Sequence, residues 1–573
     1  MTRKTTHRTR FTLVFGALAG SLSTVALFGY SALATDLPAF SAEDVFEMEY
    51  ANDPQVSPDG SRVAYVRSSM DIMTDRTRRT IWVVDVDGYN HRPLVSGAGN
   101  FSSPRWSPSG DRLAYLSNAE GKTQLFVQWL EGGETAKVTT LPQSPRSIVW
   151  SPDGKHIAFT RFVPAPPPTL ADMPTKPKGA KWAEPATVVD RMTFRFDGGG
   201  YLPTGNQQVF VVPADGGTPR QMTSGDYPIS GSVSWMPDNE SIVFSSNRRE
   251  NVEYHPRQND LYAASLTTGE LTQMTDHAGP EGNPAVSPNG RYLAYTSASD
   301  KRQGYNRADL RVMDLTSGES RSLTADLDRS VSDIQWSADS KSVWIRYNDV
   351  GMARIAEVDL KGDLKQADSV LGGTALGRPY TSGTFSVGGK DRIAYTLGRD
   401  DRPADLALMR SGKQPLQLTD LNSDLMGQRE MSRVERMVWP SSHDGLEIEG
   451  WVMKPPGFDP EKQYPMILEI HGGPHSAYGP NYSTEAQLFA AAGYVVFYTN
   501  PRGSTSYGEK FANEIDLAYP GYDYDDLISG VDALIDKGYV DSEQLFVTGG
   551  SGGGVLTAWI VGKTDRFRAA VVA

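Results

Sequence analysis

A short motif that recurs about every 50 residues constrains the fold of this chain more than any other feature of its sequence. Each copy joins a turn to a strand of apolar residues, as in Val56-Ser57-Pro58-Asp59-Gly60 followed by Val63-Ala64-Tyr65. Seven copies are visible, and their second residues are Ser57, Ser107, Ser151, Met236, Ser287, Ser337 and Ser386. Because a unit of this length cannot bury its apolar face alone, the copies are expected to stack on one another.

The residue types in the motif indicate a β-propeller. Pro with Asp-Gly or Asn-Gly makes tight turns between strands, and aromatic residues at fixed offsets pack one blade against the next. We therefore predict an all-β, seven-bladed β-propeller over residues 35–430. One step between copies is about 85 residues long, and it holds a proline-rich insertion at about 163–186. We expect an extended loop there, either a lid at the propeller rim or a solvated spacer.

The N-terminal 34 residues have a different composition from the rest. An uncharged stretch over 11–34 ends on the small-residue pattern Ala32-Leu33-Ala34, and four cations precede it: Arg3, Lys4, Arg8 and Arg10. This arrangement is typical of a cleavable secretory signal, so we expect residues 1–34 to be removed and the protein to be periplasmic or secreted. We then expect no membrane association. An uncleaved anchor is the alternative, since about 24 residues could span a bilayer.

Composition excludes several classes of function. Lys and Arg number 56 against 69 Asp and Glu, a net charge of -13, which argues against a nucleic-acid partner. A mean hydropathy of -0.42 excludes a polytopic membrane protein. The chain has no Cys, which removes disulfides, thiolate nucleophiles and Cys-based zinc sites. No His or carboxylate cluster has metal-ligand spacing, so we expect no metal and no cofactor.

After about residue 430 the turn motif gives way to strands that alternate with helices, which is typical of an α/β sheet. Buried strands are predicted at 466–470 and 495–498, and an apolar helix face at 527–535. The strand at 545–548 runs into Gly549-Gly550-Ser551-Gly552-Gly553, and a helix is predicted to follow. We assign residues 431–573 to an α/β domain.

A G-x-S-x-G sequence between a strand and a helix is the nucleophile elbow of α/β-hydrolases, so Ser551 is the predicted nucleophile. Acyl transfer also needs N–H donors for the oxyanion. We assign them to the backbone of Gly552 and of Gly473, in the loop His471-Gly472-Gly473-Pro474 that follows a buried strand. His471 and His475 are interpreted as loop histidines that hold the backbone and do not transfer protons.

Together these motifs resemble the prolyl oligopeptidase family of serine peptidases, within it the acylaminoacyl-peptidase and secreted dipeptidyl-peptidase branch. The resemblance lies in residues 471–474, 500–504, 507–508, 549–554 and 564–570. It implies a propeller that covers an α/β-hydrolase domain, and hydrolysis of short peptides through an acyl-enzyme, with access filtered by the propeller. Two positions depart from the family: Gly552 stands where Tyr is usual, and Ser506 where Gly is common.

The triad is incomplete in this sequence. In α/β-hydrolases the acid and then the His follow the nucleophile along the chain, but all eight histidines precede Ser551, and Asp565 is too close to the elbow helix. We therefore expect a C-terminally truncated peptidase, incomplete before the last strands of the sheet. The triad Asp and His would be absent from this chain, and the fragment alone would be inactive.

Two other functions remain open from the residues. A carboxylesterase would use the same elbow and oxyanion loop, without needing a propeller of this size. A non-catalytic periplasmic binding propeller would explain the repeat, but not residues 440–573.

Overall fold

Eight sheets, each of four or more strands, dominate the computed structural model, which describes residues 37–172, 174–183, 186–389, 392–410 and 413–573. The predicted signal segment, 1–34, lies outside these residues. Within them, seven four-stranded antiparallel sheets are followed along the chain by one six-stranded sheet. The predicted architecture, a seven-bladed propeller followed by an α/β-hydrolase domain, is therefore confirmed.

In every blade the strands pair in chain order. Blades 1 to 3 consist of β1 Glu49–Val56, β2 Arg62–Asp71, β3 Arg76–Asp85, β4 Arg92–Val95; β5 Phe101–Trp106, β6 Arg112–Ser117, β7 Gln124–Trp129, β8 Thr135–Lys137; and β9 Pro145–Trp150, β10 His156–Pro164, β13 Gly205–Pro213, β14 Arg220–Gln221. A separate hairpin, β11 Arg195–Phe196 and β12 Gly200–Tyr201, lies inside blade 3's insertion.

Blades 4 to 7 consist of β15 Ile229–Trp235, β16 Ser241–Ser246, β17 Asp260–Ser265, β18 Leu271–Gln273; β19 Glu281–Val286, β20 Tyr292–Ser297, β21 Asp309–Asp314, β22 Ser320–Ser322; β23 Val331–Trp336, β24 Ser342–Asp349, β25 Met352–Asp359, β26 Leu364–Gln366; and β27 Phe385–Gly388, β28 Arg392–Leu397, β29 Asp405–Arg410, β30 Leu416–Gln417. Short 3₁₀ helices occupy Asp44–Glu47 and Val252–Tyr254, and helix α1 is Ser423–Met426.

Hydrogen bonds explain why the turn motif recurs. Ser57 Oγ accepts from the N–H of Arg62 across the turn at 3.0 Å, and the same bond forms at Ser107, Ser151, Ser287 and Ser337. The tryptophan that precedes the serine joins neighbouring blades: Trp150 Nε1 donates to the Arg105 carbonyl at 2.9 Å. Trp106, Trp235 and Trp336 make equivalent bonds. The motif therefore both closes its turn and ties its blade to the preceding one.

A second repeated motif, an apolar residue followed by Thr after the outermost strand, was missed by the sequence analysis. Thr139 Oγ1 accepts from the N–H of Leu125 at 3.0 Å and donates to Gln124 Oε1 at 2.9 Å. The bond to the backbone recurs at Thr223, Thr275, Thr324 and Thr419. These threonines fix the third strand of a blade to the connection leading to the next blade.

Blades 7 and 1 close the ring without exchanging a strand. Ala51 N–H donates to the Ala404 carbonyl at 2.9 Å, and Val56 N–H donates to Ser386 Oγ at 2.8 Å. The turn expected at Ser386 is wrong: Ser386 lies inside β27, two residues before Gly388, which pairs with Arg392. The seventh copy lacks Pro and Asp-Gly, and its serine holds the neighbouring blade instead of its own turn.

The insertion of blade 3 is longer than predicted. Val163 and Pro164 still pair with Asn206 and Gly205, so the connection covers 165–204. Among the described residues of 165–194 there is no strand, as expected from the proline density. Together with loops of blade 4, the insertion lines a cavity of about 1730 Å³.

The α/β domain is a six-stranded sheet with the order β31-β32-β34-β33-β35-β36, antiparallel at β31, β32 and β34 and parallel from β34 onwards. Its strands are β31 Val434–Pro440, β32 Glu447–Met453, β33 Tyr464–Ile470, β34 Val495–Asn500, β35 Val540–Gly549 and β36 Phe567–Val572. Its helices are α2 Thr484–Ala491, α3 Glu509–Asn513, α4 Asp523–Ile535 and α5 Gly552–Lys563. In the described part of the chain, no helix is both long and apolar enough to cross a membrane.

Candidate active site

Ser551 lies on a strained turn between β35 and α5, as predicted for a nucleophile elbow. Its φ of 54° and ψ of -117° are unusual for a residue with a side chain. Ser551 is exposed, while Gly552 and Gly553 beside it are buried. The turn therefore presents the hydroxyl above the sheet, at the carboxyl end of a parallel strand.

The glycines of the elbow are required by close backbone contacts. A Cβ at Gly553 would lie 2.1 Å from the Ile470 carbonyl oxygen, at the end of the neighbouring strand β33. A Cβ at Gly549 would lie 2.4 Å from the Gly553 carbonyl oxygen. Only glycine at both positions allows strand, helix and the adjacent strand to approach this closely.

The loop 471–474 follows β33 and reaches the elbow. A Cβ at Gly552 would lie 3.1 Å from the Gly473 nitrogen, which places the two predicted donors side by side. In the residues that the structure describes, neither N–H has a hydrogen-bond acceptor, whereas the Gly472 N–H donates to Tyr380 Oη at 2.9 Å. The same contact shows that a side chain at position 552 would crowd the loop unless the loop shifted by a few tenths of an ångström.

His471 supports this loop from within the domain. Its Nδ1 lies 2.9 Å from the Gly472 carbonyl oxygen, which can only accept, so Nδ1 carries the proton. Its Nε2 lies 2.8 Å from Ser504 Oγ, whose hydroxyl also lies 2.7 Å from the Pro501 carbonyl oxygen. Burial lowers the pKa of His471 to about 4, so the ring is neutral at neutral pH. Because C=O and N–H point in opposite directions across a trans peptide, holding the Gly472 carbonyl also orients the Gly473 N–H.

His475 is also engaged by backbone. Its Nδ1 lies 3.1 Å from the Gly503 carbonyl oxygen, and its ring packs on Tyr305 of the propeller with centroids 5.7 Å apart. Among the described residues, no side chain forms a hydrogen bond with the Ser551 hydroxyl. The structure therefore brings the nucleophile and the two backbone donors together, and engages the two loop histidines elsewhere.

The loop 500–504 acts as a support for the site. Arg502 is buried and its guanidinium contacts Asp526 at 2.8 Å and Asp444 at 3.0 Å. The Asn500 side chain accepts from the Tyr478 N–H and donates to the Tyr478 carbonyl, both at 2.9 Å. These bonds fix the backbone that carries Ser504, and Ser504 in turn holds His471.

Two residues at the site were missed because they belong to the propeller. Arg378 Nε lies 2.9 Å from Glu485 Oε2 and 3.3 Å from Glu469 Oε1. A Cβ at Gly550 would lie 2.6 Å from Arg378 Nη1, so the guanidinium packs directly on the elbow. Burial, together with the Glu485 charge, raises the pKa of Glu469 to about 7. Tyr380 is the second residue, through its bond to Gly472.

Comparisons with known proteins agree with the fold. The sequence pattern of the prolyl oligopeptidase family matches residues 480–573, that of the TolB β-propeller domain matches 59–163, and that of the dipeptidyl peptidase IV N-terminal region matches 181–303. An uncharacterized peptidase of Bacillus subtilis, YuxL, is 33% identical over 93% of this chain and 81% of its own length.

More distant relatives extend the comparison. Dipeptidyl-peptidase 5 of Porphyromonas gingivalis is 26% identical over 98% of this chain and 82% of its own length. Among solved structures, Pyrococcus horikoshii acylaminoacyl peptidase superposes with a TM-score of 0.75 at 22% identity, over 92% of this chain and 77% of that one. An acylaminoacyl peptidase bound to a peptide chloromethyl ketone superposes with a TM-score of 0.76 at 22% identity, over the same shares of the two chains. Given these matches and the elbow on its α/β sheet, this chain belongs to the prolyl oligopeptidase family of serine peptidases.

Proposed function

We propose that this protein hydrolyses short peptides, as a dipeptidyl-peptidase or acylaminoacyl-peptidase does, with Ser551 as the nucleophile. The observation that carries the proposal is the exposed Ser551 on a strained elbow, beside two backbone N–H groups that have no acceptor among the described residues. Similarity to proteins named dipeptidyl-peptidase 5 and acylaminoacyl peptidase favours small peptide substrates over folded proteins.

In the proposed mechanism, Ser551 Oγ attacks the scissile carbonyl carbon and its proton passes to a general base. The carbonyl oxygen becomes an oxyanion, which accepts hydrogen bonds from the N–H groups of Gly473 and Gly552. Collapse of the tetrahedral intermediate breaks the C–N bond, and the amine leaves with a proton. Water then hydrolyses the Ser551 ester by the same route.

We assign neither the general base nor the triad acid to a residue of this sequence. Every histidine precedes Ser551 in the chain. His471, the first residue of the oxyanion loop, is neutral, and both of its ring nitrogens are engaged in holding the loop. A base that accepts the Ser551 proton needs a free ring nitrogen within hydrogen-bond reach of Oγ.

The propeller is proposed to limit which substrates reach Ser551. Blades 5 and 6 are fastened to the α/β domain: Lys301 Nζ contacts Glu509 at 2.6 Å, and Gly351 N–H donates to Ser506 Oγ at 2.8 Å. This second bond gives a role to Ser506, one of the two departures from the family pattern. A propeller held on the catalytic domain restricts entry to peptides that are short or unfolded.

A fluorophosphonate probe tests the nucleophile. We expect the wild-type protein and a Ser529→Ala control to be labelled, and Ser551→Ala not to be labelled, because only an activated hydroxyl attacks phosphorus quickly. Labelling of the Ser551→Ala variant would place the nucleophile elsewhere.

Substrate assays test the reaction class. We expect turnover of dipeptide or acyl-amino-acid amides, with simple esters also cleaved. Hydrolysis of esters without any hydrolysis of peptide amides would favour the carboxylesterase alternative.

A further inference from the structure

The connection between blades 6 and 7, residues 367–384, belongs to both domains at once; we call it the inter-blade segment. On the propeller side, Leu371 forms bridges with Ala353 of β25 and Leu397 of β28. On the other side, its backbone bonds to the segment between β33 and α2. Gly479 N–H donates to the Pro379 carbonyl at 2.9 Å, and Thr381 N–H donates to the Ala477 carbonyl at 3.0 Å.

The N-terminus of α2 extends this junction. Thr484 N–H donates to the Leu376 carbonyl at 2.8 Å, and Ser483 Oγ donates to the Gly377 carbonyl at 3.0 Å. Backbone bonds in both directions hold the segment in one position relative to the catalytic domain. The inter-blade segment is therefore a fixed element at the catalytic domain and not a freely moving loop.

Its two longest polar side chains reach the catalytic elements. The Arg378 guanidinium packs on Gly550, directly before the nucleophile. Tyr380 Oη accepts the Gly472 N–H, directly before the predicted oxyanion donor of Gly473. A Cβ at Gly472 would lie 3.2 Å from Ser551 Cβ and 3.4 Å from Tyr380 Oη, so the phenol and the nucleophile flank the same glycine.

We propose that Tyr380 is a positioning residue, through which the propeller sets the geometry of the oxyanion site. The inference rests on the proposed function, in which the Gly473 N–H stabilises the oxyanion. Tyr380 holds the peptide unit between residues 471 and 472 by its N–H, while His471 holds the next unit by its C=O. The two bonds fix both sides of Gly472, and within the part of the chain that the structure describes, the Gly473 N–H has no acceptor.

Glycine makes this support necessary. Two consecutive glycines have more accessible backbone conformations than any other pair, and Gly473 has a φ of 134°. Without the Tyr380 hydroxyl, the buried Gly472 N–H loses its acceptor and gains by rotating towards another one. That rotation would turn the Gly473 N–H away from the substrate carbonyl oxygen, and displacements of about 1 Å are enough to slow catalysis.

The hydroxyl can be tested apart from the ring. Tyr380 packs edge-on against Tyr478 with ring centroids 4.8 Å apart, and Tyr380→Phe keeps this contact while removing the acceptor. Tyr295→Phe is a matched control: it removes a tyrosine hydroxyl bonded to Ser320 at 2.6 Å inside blade 5. Both variants should fold.

Enzyme kinetics give the first measurement. For a dipeptide or acyl-amino-acid amide, we expect Tyr380→Phe to lower kcat about 10-fold or more, with KM within twofold of the wild type. Tyr295→Phe should match the wild type in both. An unchanged kcat, or a change confined to KM, would overturn the positioning role.

Hydrogen exchange on the 573-residue chain gives a second measurement that needs no catalysis. Peptides that span 468–476 should exchange faster in Tyr380→Phe than in the wild type or in Tyr295→Phe. Equal exchange in all three would overturn the proposed contact. The two proposals fail in different ways. A wild-type enzyme that cleaves no peptide amide would refute the proposed function. An active wild-type enzyme with an equally active Tyr380→Phe variant would refute only the role of Tyr380.

Discussion

Gly553 offers a direct test of how tightly the elbow is built. A Cβ there would lie 2.1 Å from the Ile470 carbonyl oxygen and 2.8 Å from the His471 carbonyl oxygen. Both atoms are backbone, and Ile470 ends a central strand of the sheet, so neither can move without moving β33 or the oxyanion loop. In Gly553→Ala, α5 must therefore move away from the sheet.

The size of the effect follows from these distances. Ordinary contacts of a Cβ begin at 3.4 Å, so the helix and strand must separate by about 1 Å, an overpacking that costs about 1–3 kcal/mol or more. Alanine recovers up to about 1 kcal/mol of helix propensity. Gly562, in the last turn of the same helix, has nothing within 4 Å of its Cβ position, so Gly562→Ala should stabilise by about 0.5–1 kcal/mol.

Calorimetry of the two variants gives the comparison. We expect the unfolding transition of the catalytic domain to move down by several degrees in Gly553→Ala and to stay or rise in Gly562→Ala, since 1 kcal/mol corresponds to about 2–4 °C for a domain of this size. The kcat of Gly553→Ala for a peptide amide should fall about 100-fold, because the nucleophile moves with its helix. Equal transition temperatures in the two variants would refute the close strand–helix approach.

Three further predictions concern buried groups. Asp526→Asn should lower the free energy of unfolding by about 3–5 kcal/mol in urea titrations, because Arg502 is left with a buried, partly unpaired charge. Trp150→Phe should cost about 1 kcal/mol in the same assay, through loss of the bond to the preceding blade. The Glu469→Gln variant isolates the titration of His471, because it removes the neighbouring carboxyl that titrates in the same pH range. In this variant the free energy of unfolding should fall by up to about 3 kcal/mol as the pH falls from 6.5 to 4. The reason is that His471 is protonated in the unfolded chain over this range, whereas in the folded chain its pKa of about 4 keeps it neutral. In the wild type the same loss should be smaller, because Glu469 acts in the opposite direction. Its pKa is about 7 in the folded chain and about 4.5 in the unfolded chain, so between these values the folded chain binds the extra proton and gains stability as the pH falls.

The parts of the fold that could be predicted from the sequence are those whose stabilising hydrogen bonds and backbone geometry involve only residues close together in the chain. In a Ser-Pro-Asp-Gly turn, Ser57 bonds a backbone N–H five residues away, so the motif contains its own explanation. The elbow is similar: strand, glycines and Ser551 are contiguous, and the strained φ is built into the turn. The seventh blade shows where local sequence fails to predict structure. Ser386 accepts a hydrogen bond from Val56, 330 residues away, and this long-range contact has no local sequence pattern.

The rest of the site depends on how the propeller sits on the sheet. Tyr380 lies 92 residues from Gly472 in a segment of mixed Gly, Pro, Thr and Ser, without periodicity that would single it out. Gly552 gives the complementary case: sequence marked it as a departure from the family, but its reason is the Gly473 nitrogen 3.1 Å from where a Cβ would be. A side chain at position 552 would require the loop to shift by a few tenths of an ångström, whereas glycine lets the loop stay close to the elbow. Because Gly473 follows Gly472 directly, we expect Gly552→Tyr to be tolerated only with a shift of this loop that weakens the bond between Tyr380 and Gly472.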